Sequence, residues 1–296
     1  MTETDRDITG FLYEVKARLD RRLDELLPPA GCYPTRVHEC MRYSILDGGK
    51  RIRPALMAGV AEALGAPSDD LLPAMCAVEM IHVCSLILDD LPSMDDAQMR
   101  HGRRANHLVY GDATAILASI ALLNQAYAVL SDSCKDQDAT RKAVIDQTAK
   151  MVGTEGMIAG QIVDLESGGK PVDENTLEYI ESHKTGALIM GAVRIAALLS
   201  RAKRVELDAL TGYARNVGVA YQISDDILHL THKPQELGKV AHRDEAAVNY
   251  ARVHGIEASR RSLERFTADA VDALKDFDRC ADRLRSLARY LADRAS

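Results

Sequence analysis

Apolar residues along this chain recur three and four positions apart, not two. Ile8, Leu12, Val15, Leu19, Leu23 and Leu26 make one continuous stripe, which the Pro28-Pro29 pair ends. The same period predicts further helices roughly over 35–47, 51–65, 70–91, 111–133, 138–166, 173–200 and 205–231, with shorter ones over 242–294. Punctuation falls between them at Gly48-Gly49, Gly65-Ala66-Pro67, Gly102, Gly111-Asp112, Gly168-Gly169-Lys170-Pro171 and Lys233-Pro234. No alternating β run and no strand followed by GxGxxG is present, so a Rossmann architecture is excluded. No fixed-period repeat, low-complexity tract or long linker divides the chain. The more charged C-terminal third reads as a surface helical hairpin. The expectation is an all-α fold, a single domain over residues 1–296 with eight to twelve helices.

Composition narrows the class. Of 296 residues, 47% are hydrophobic and 27% charged, which suits a globule and neither a disordered nor a fibrous chain. The most apolar stretch, Ala113 to Leu130, is interrupted by Thr114, Ser119, Asn124 and Gln125, which argues against a membrane span. The N-terminal MTETDRDITG is polar and acidic, unlike a secretory signal. Lys and Arg number 37 against 44 Asp and Glu, a net charge of −7 that argues against nucleic acid as the main partner. Cys32, Cys40, Cys76, Cys84, Cys134 and Cys280 form no CxxC pair and read as free thiols of a reducing compartment. A cytoplasmic location is therefore expected.

Two acidic clusters on apolar helices carry the chemistry. In EMIHVCSLILDDLPSMDDAQMRHGRR (79–104) an apolar body runs directly into Asp89 and Asp90, with Asp95 and Asp96 just beyond. Such carboxylates repel one another and should not gather beside a core without a compensating cation. On an unbroken helix Asp89 and Asp95 would face roughly opposite ways at ~100° per residue. Pro92 breaks that helix and would let Asp95 fold back beside Asp89. His82 lies seven positions before Asp89, on the same stripe. In Tyr221 to His229, Gln222, Asp225 and His229 share one helix face. Oxygen-only clusters facing each other across a bundle suit Mg²⁺, and no His/Cys set has zinc spacing. Basic residues complete the pattern. Lys50, Arg51 and Arg53 sit at a loop-to-helix junction, with Arg100, Arg103, Arg104, Lys184 and Lys239 elsewhere. Together they imply two polyanionic substrates, one bound through metal and one by cations alone.

These residues resemble the trans-isoprenyl diphosphate synthases, most closely the bacterial geranylgeranyl diphosphate synthases of carotenoid pathways. The resemblance runs from about Tyr33 to Gly255 and rests on an ordered set: GGKRIRP (48–54), EMIH (79–82), SLILDDLPSMDDAQMR (85–100), GQIVDL (160–165), HKT (183–185), YQISDD (221–226) and LGK (237–239). It implies an all-α bundle around a deep cavity, usually a homodimer. It implies that Asp89 and Asp95 ligate two Mg²⁺ ions on an allylic diphosphate (dimethylallyl, geranyl or farnesyl), supported by Asp90, and that Asp225 holds a third, supported by Asp226. Arg100, Lys184 and Lys239 would clamp that diphosphate, helped by Gln161, Asp164, Thr185 and Gln222. Lys50, Arg53 and His82 would bind isopentenyl diphosphate. The allylic C–O bond would break to a carbocation and pyrophosphate, and the isopentenyl alkene would attack the cation. The fifth position before the first acidic motif, aromatic in farnesyl-producing relatives, is Cys84, followed by Ser85. Both are small, so a twenty-carbon product is expected, with farnesyl diphosphate as the shorter possibility.

Three positions depart from the family pattern. A paired arginine is His101, the last acid of the second motif is His229, and a downstream lysine is replaced by Ala247. Two alternatives therefore stand beside the prenyltransferase. One is a class I terpene-synthase-like enzyme, which would not need Lys50 or Arg53. The other is a catalytically weak or regulatory subunit of a prenyl diphosphate synthase.

Overall fold

The computed structural model describes residues 3–46, 48–134, 137–168, 170, 172–232, 240–241 and 249–294. The first apolar stripe forms α1 (Glu3–Leu26), which lays Ile8, Val15, Leu19 and Leu23 onto the core. α2 (Thr35–Ile45) and α3 (Ile52–Ala63) follow, and a 3₁₀ turn leads into α4 (Leu72–Asp89). Nearly every residue of α3 and most of α4 are buried, so these two helices lie inside the bundle rather than on its surface. Small side chains let neighbours come close. A Cβ on Gly59 of α3 would stand 2.8 Å from Leu284 of the last helix.

A short α5 (Asn106–Tyr110) precedes α6 (Asp112–Asp132), which packs along α4. The predicted helix over 138–166 is two helices, α7 (Asp138–Val152) and α8 (Met157–Ser167). The break is at Gly153-Thr154-Glu155-Gly156, where a Cβ on Gly156 would meet the Lys150 and Met151 carbonyls at 2.2 and 2.4 Å. The predicted 173–200 stretch is helical throughout but not uniform. α9 (Glu174–Ile180), whose first turn is capped by Asp173 accepting from Thr176 N–H, passes into a π turn (Glu181–Thr185) before α10 (Gly186–Leu199). α11 (Arg204–Thr231) is the longest helix of the described chain. Beyond it come α12 (Tyr250–His254), α13 (Ile256–Ala273) and α14 (Asp282–Asp293).

A small sheet was not legible in the sequence. β1 (Ala97–Arg100) pairs antiparallel with β2 (Arg103–Arg104) and, on its other side, with β3 (Val240–Ala241). Strands this short carry no readable alternation. The β1–β2 turn places both His101 (φ 51°) and Gly102 (φ 79°) in the left-handed region, the signature of a type I′ hairpin. Apart from this sheet the regular structure of the described residues is helical, the all-α fold expected. The helices outnumber the expected eight to twelve because glycine breaks and short turns divide stretches that the apolar period had merged.

Two stretches, Ser68–Asp89 and Asp112–Asp132, are long and apolar enough to cross a membrane, so the polar interruptions in the second do not exclude it on that criterion. Burial separates them. The first is 67% buried within the fold, as a core helix should be, and the second only 39%. The outward side of α6 shows Ile116, Leu117 and Ile120.

Candidate active site

α4 ends at Asp89, and Pro92 keeps it from continuing. The chain turns back so that Asp95 N–H donates to the Asp89 carbonyl (2.9 Å) and Ala97 N–H to that of Asp90 (3.1 Å). This brings Asp89 and Asp95 onto the wall of one cavity of about 940 Å³. Asp90 points the other way, is buried, and accepts from Arg100 Nε at 3.0 and 3.2 Å. Burial alone would lower the Arg100 guanidinium, but Asp90, Asp89 and Asp95 hold it above its ordinary value. Arg100 therefore braces the motif from behind while also facing the cavity.

From the opposite wall α11 presents Gln222, Asp225, Asp226 and His229. Asp226 accepts from Gln222 Nε2 (2.8 Å) and from Tyr250 N–H (2.6 Å). Burial nevertheless pushes its carboxyl up to about 7, with Asp225 and Asp164 adding to the rise. α8 and the π turn join the two acidic walls. Gln161 Nε2 donates to Asp89 Oδ1 (2.9 Å), and Lys184 Nζ lies 2.7 Å from Asp164 and 3.6 Å from Asp89. Thr185 Oγ1 donates to Gln222 (2.8 Å). Burial would lower Lys184, but Asp89, Asp164 and Asp95 outweigh it and raise the ammonium. The π turn is held tightly here. A Cβ on Gly160 of α8 would stand 2.2 Å from Lys184 N, so only glycine permits this approach.

At the cavity's other polar region, Gly48 (φ 110°) and Gly49 (φ 92°) turn the chain into α3. The three cations of this junction divide. Arg51 turns inward and is nearly inaccessible, donating to Glu79 (2.8 Å), Asp20 (2.9 Å) and the Ile45 carbonyl (2.6 Å). Lys50 and Arg53 face the cavity with His82. Burial and the neighbouring Arg294 lower the Lys50 ammonium. Arg53 Nε and His82 Nδ1 are buried without a hydrogen-bond partner. An unsatisfied guanidinium N–H beside a lysine calls for an anion.

Arg294, just past α14, belongs to the same wall and was not singled out from the sequence. Its Nε and Nη1 are buried without partners, its Nη2 lies 3.4 Å from Asp225, and its guanidinium sits over the Tyr221 ring. In the sequence it is an ordinary basic residue at the end of a helix, and nothing local marks it. Of the other expected residues, Ser85 lines the cavity, but Cys84 does not. Cys84 faces α6, its Sγ 3.1 Å from Ser119 Oγ, because it lies one residue round the helix from Ser85. The expectation that Cys84 opens the cavity is thus corrected, and Ser85 alone of the pair borders it. His101 and His229 both line the cavity. Lys239 and Ala247 lie outside the described residues.

The donors suit a hard divalent cation, being carboxylates and amide oxygens rather than thiols. Among the described residues no three His, Cys, Asp or Glu side chains converge as a ready-made metal centre. Any Mg²⁺ here would draw its remaining ligands from a substrate diphosphate and water, as that ion ordinarily does. The remaining walls are apolar, with Leu88, Ile158, Ile162, Leu165 and Leu188 among them.

Burial first, then Arg53, His101 and Arg100, hold the His82 imidazole well below its ordinary 6.5. Below pH 6.5 the unfolded chain protonates this residue and the folded chain does not, so stability falls as pH falls. In urea unfolding at pH 7.5 and 5.5, the wild type should lose up to ~1.4 kcal/mol per pH unit below 6.5 that His82→Gln does not lose. Equal losses in both proteins would show that His82 charges freely in the fold.

The comparisons with known proteins agree with this geometry. The heterodimeric geranylgeranyl pyrophosphate synthase large subunit 1 of Arabidopsis thaliana, a chloroplastic protein, is 38% identical over 97% of this chain and 80% of its own. The apo crystal structure of an FPP/GFPP synthase from Zymomonas mobilis superimposes with a TM-score of 0.87 at 32% identity, covering 97% of this chain and 99% of that one. A geranyltransferase from Helicobacter pylori, solved with magnesium and isoprenyl diphosphate, gives a TM-score of 0.85 at 25% identity over 96% of both chains. With the polyprenyl synthetase profile matching residues 34–283, the chain belongs to the polyprenyl synthetase family.

Proposed function

We propose that this protein is a prenyltransferase that condenses isopentenyl diphosphate with an allylic diphosphate, with geranylgeranyl diphosphate as its product. The observation that carries this reading is one cavity with two polar regions of opposite character. Asp89, Asp95 and Asp225 form the acidic region, and Lys50, Arg53 and His82 form the other, where Arg53 Nε and His82 Nδ1 are buried without partners. An enzyme that only ionised one diphosphate would have no use for the second region. Its volume of about 940 Å³ lies at the upper end of ordinary ligand pockets, as two substrates require.

In this reading Asp89, Asp95 and Asp225 would hold about three Mg²⁺ ions on the allylic diphosphate; the magnesium in the Helicobacter pylori structure supports the choice of metal. When bound there, such ions would supply charge stabilisation to the departing pyrophosphate. Lys184 and Arg100 turn from their carboxylate partners to the same oxygens, while Asp164 holds Lys184, Gln161 holds Asp89, and Thr185 with Gln222 helps bind the diphosphate. Preorganised cations of this kind act where charge develops. Lys50, Arg53 and His82 hold isopentenyl diphosphate, and Arg294 supplies a further cation on a wall where His101 is a poor substitute for arginine. Ser85 and the apolar side chains opposite bound the growing tail. The Arabidopsis relative's name supports a twenty-carbon product, while that of the Zymomonas enzyme names farnesyl and geranylfarnesyl products.

We read residues 1–296 as one domain working as a homodimer through the outward face of α6, where Leu117 is 61% and Ile120 55% exposed. A weak or regulatory subunit is a second reading, favoured by His101 and His229 in the cavity. All six cysteines are unpaired, which supports a cytoplasmic location.

Incubation with Mg²⁺, farnesyl diphosphate and labelled isopentenyl diphosphate should yield geranylgeranyl diphosphate by mass spectrometry. A hydrocarbon or alcohol formed without isopentenyl diphosphate would point to the terpene-synthase-like reading, and no turnover to the weak subunit. Arg294→Met should raise the KM for isopentenyl diphosphate ~10- to 100-fold with little change for the allylic substrate, since a charged hydrogen bond is worth ~1.5–3 kcal/mol. An unchanged KM removes Arg294 from that site. In analytical ultracentrifugation the wild type should sediment as a dimer and Leu117→Glu/Ile120→Glu as a monomer. A dimeric variant would place the interface elsewhere.

A further inference from the structure

Glu181 opens the π turn and has no role in the scheme above. It is 6% exposed, its Oε1 is buried without a hydrogen-bond partner, and it lines the same cavity as Asp225, Asp226 and His229. A carboxyl in that position is costly, because burial removes water and nothing replaces it. Its neighbours make matters worse. Asp226 on α11 and Glu178 on α9 both add to the burial that pushes it up to about 8. Lys184, three residues on, is already occupied by Asp164 and Asp89. The backbone offers no explanation either, since Ile180 and Gly186, which flank the π turn, have ordinary helical φ and ψ. A buried, unpaired carboxyl aimed at an acidic wall is satisfied by a cation that arrives with the substrate.

The α11 wall has two carboxylates and an imidazole, Asp225, Asp226 and His229. Of these, Asp226 already accepts hydrogen bonds on both oxygens, from Gln222 and from Tyr250 N–H. Only Asp225 is placed to act as a metal ligand from this helix. We propose that Glu181 is a carboxylate ligand that completes the divalent-cation site at the Asp225 end of the cavity, doing from the π turn what an acid at position 229 would do from α11. This rests on the prenyltransferase reading, in which a diphosphate brings the ions. A π turn is a suitable device for it, because the wider turn re-aims one side chain without breaking the helix from α9 to α10.

The test uses the full chain with Mn²⁺ as a paramagnetic probe and inorganic pyrophosphate as the diphosphate, with free Mn²⁺ followed by electron paramagnetic resonance. The wild type should bind Mn²⁺ in a pyrophosphate-dependent way. Glu181→Gln, nearly isosteric, should weaken the weakest-bound ion ~10-fold or more. Glu181→Gln/His229→Asp should regain most of that affinity, since a carboxylate returns to the same wall. Identical Mn²⁺ titrations for the wild type and Glu181→Gln would overturn the inference while leaving the prenyltransferase reading intact. Wild type without pyrophosphate-dependent binding would sink both. Thermal melting checks that the Gln variant folds. If it does not, Glu181→Asp, with its carboxyl drawn back by one methylene, must weaken the same ion, and an unchanged titration overturns the proposal.

Discussion

Asp89, Asp95, Asp164 and Asp225 face one cavity inside an apolar bundle, and their mutual repulsion constrains everything around them. The fold balances it with cations that are not free to leave. Arg100 is held against Asp90 behind the first motif, and Lys184 lies between Asp164 and Asp89. Exposed ion pairs would contribute little, but these are largely removed from water, where a charge left without its partner is expensive. The arrangement also suits exchange. A diphosphate entering with divalent cations would meet Arg100, Lys184 and the carboxylates already removed from water, so little charge would have to be desolvated afresh.

The cationic region depends on a different anchor. Arg51 enters α3 with left-handed backbone (φ 51°) and bonds to Glu79 of α4, to Asp20 of α1 and to the Ile45 carbonyl of α2. One buried guanidinium thus fixes three helices against the start of a fourth. Lys50 and Arg53, on either side of it, are left facing the cavity, and Arg53 Nε is buried there without a partner. The conformational strain and the buried ion pair are both local costs, offset by the apolar packing of α3 and α4 around them. The fold spends stability here to hold a site open for an anion.

The two ends are joined through side chains on α8 and the π turn. Gln161 reaches Asp89, Lys184 reaches Asp164, and Thr185 reaches Gln222, which in turn holds Asp226. The π turn is therefore bonded to both acidic walls. The close approach of Gly160 to Lys184 sets that turn's position, which gives the GQIVDL segment a packing role in addition to its polar one.

Much of this was written locally. The three-and-four period gave the helices, Pro92 gave the fold-back of Asp95, and the spacing of Gln222, Asp225 and His229 put all three on one wall. These follow from backbone geometry within a few residues, so a single chain segment determines them. What the sequence left undecided concerns groups far apart in the chain. It did not separate Arg51 from Lys50 and Arg53, turn Cys84 towards Ser119, or bring Arg294 beside Asp225. Nor did it show strands too short to alternate, or the π turn within a run of helical residues. Local pattern determined which elements form and which chemical groups they carry. Partner choice, burial and the shape of the cavity were decided only when distant helices packed, because electrostatic and steric energies depend on distance in space, which one-dimensional order does not contain.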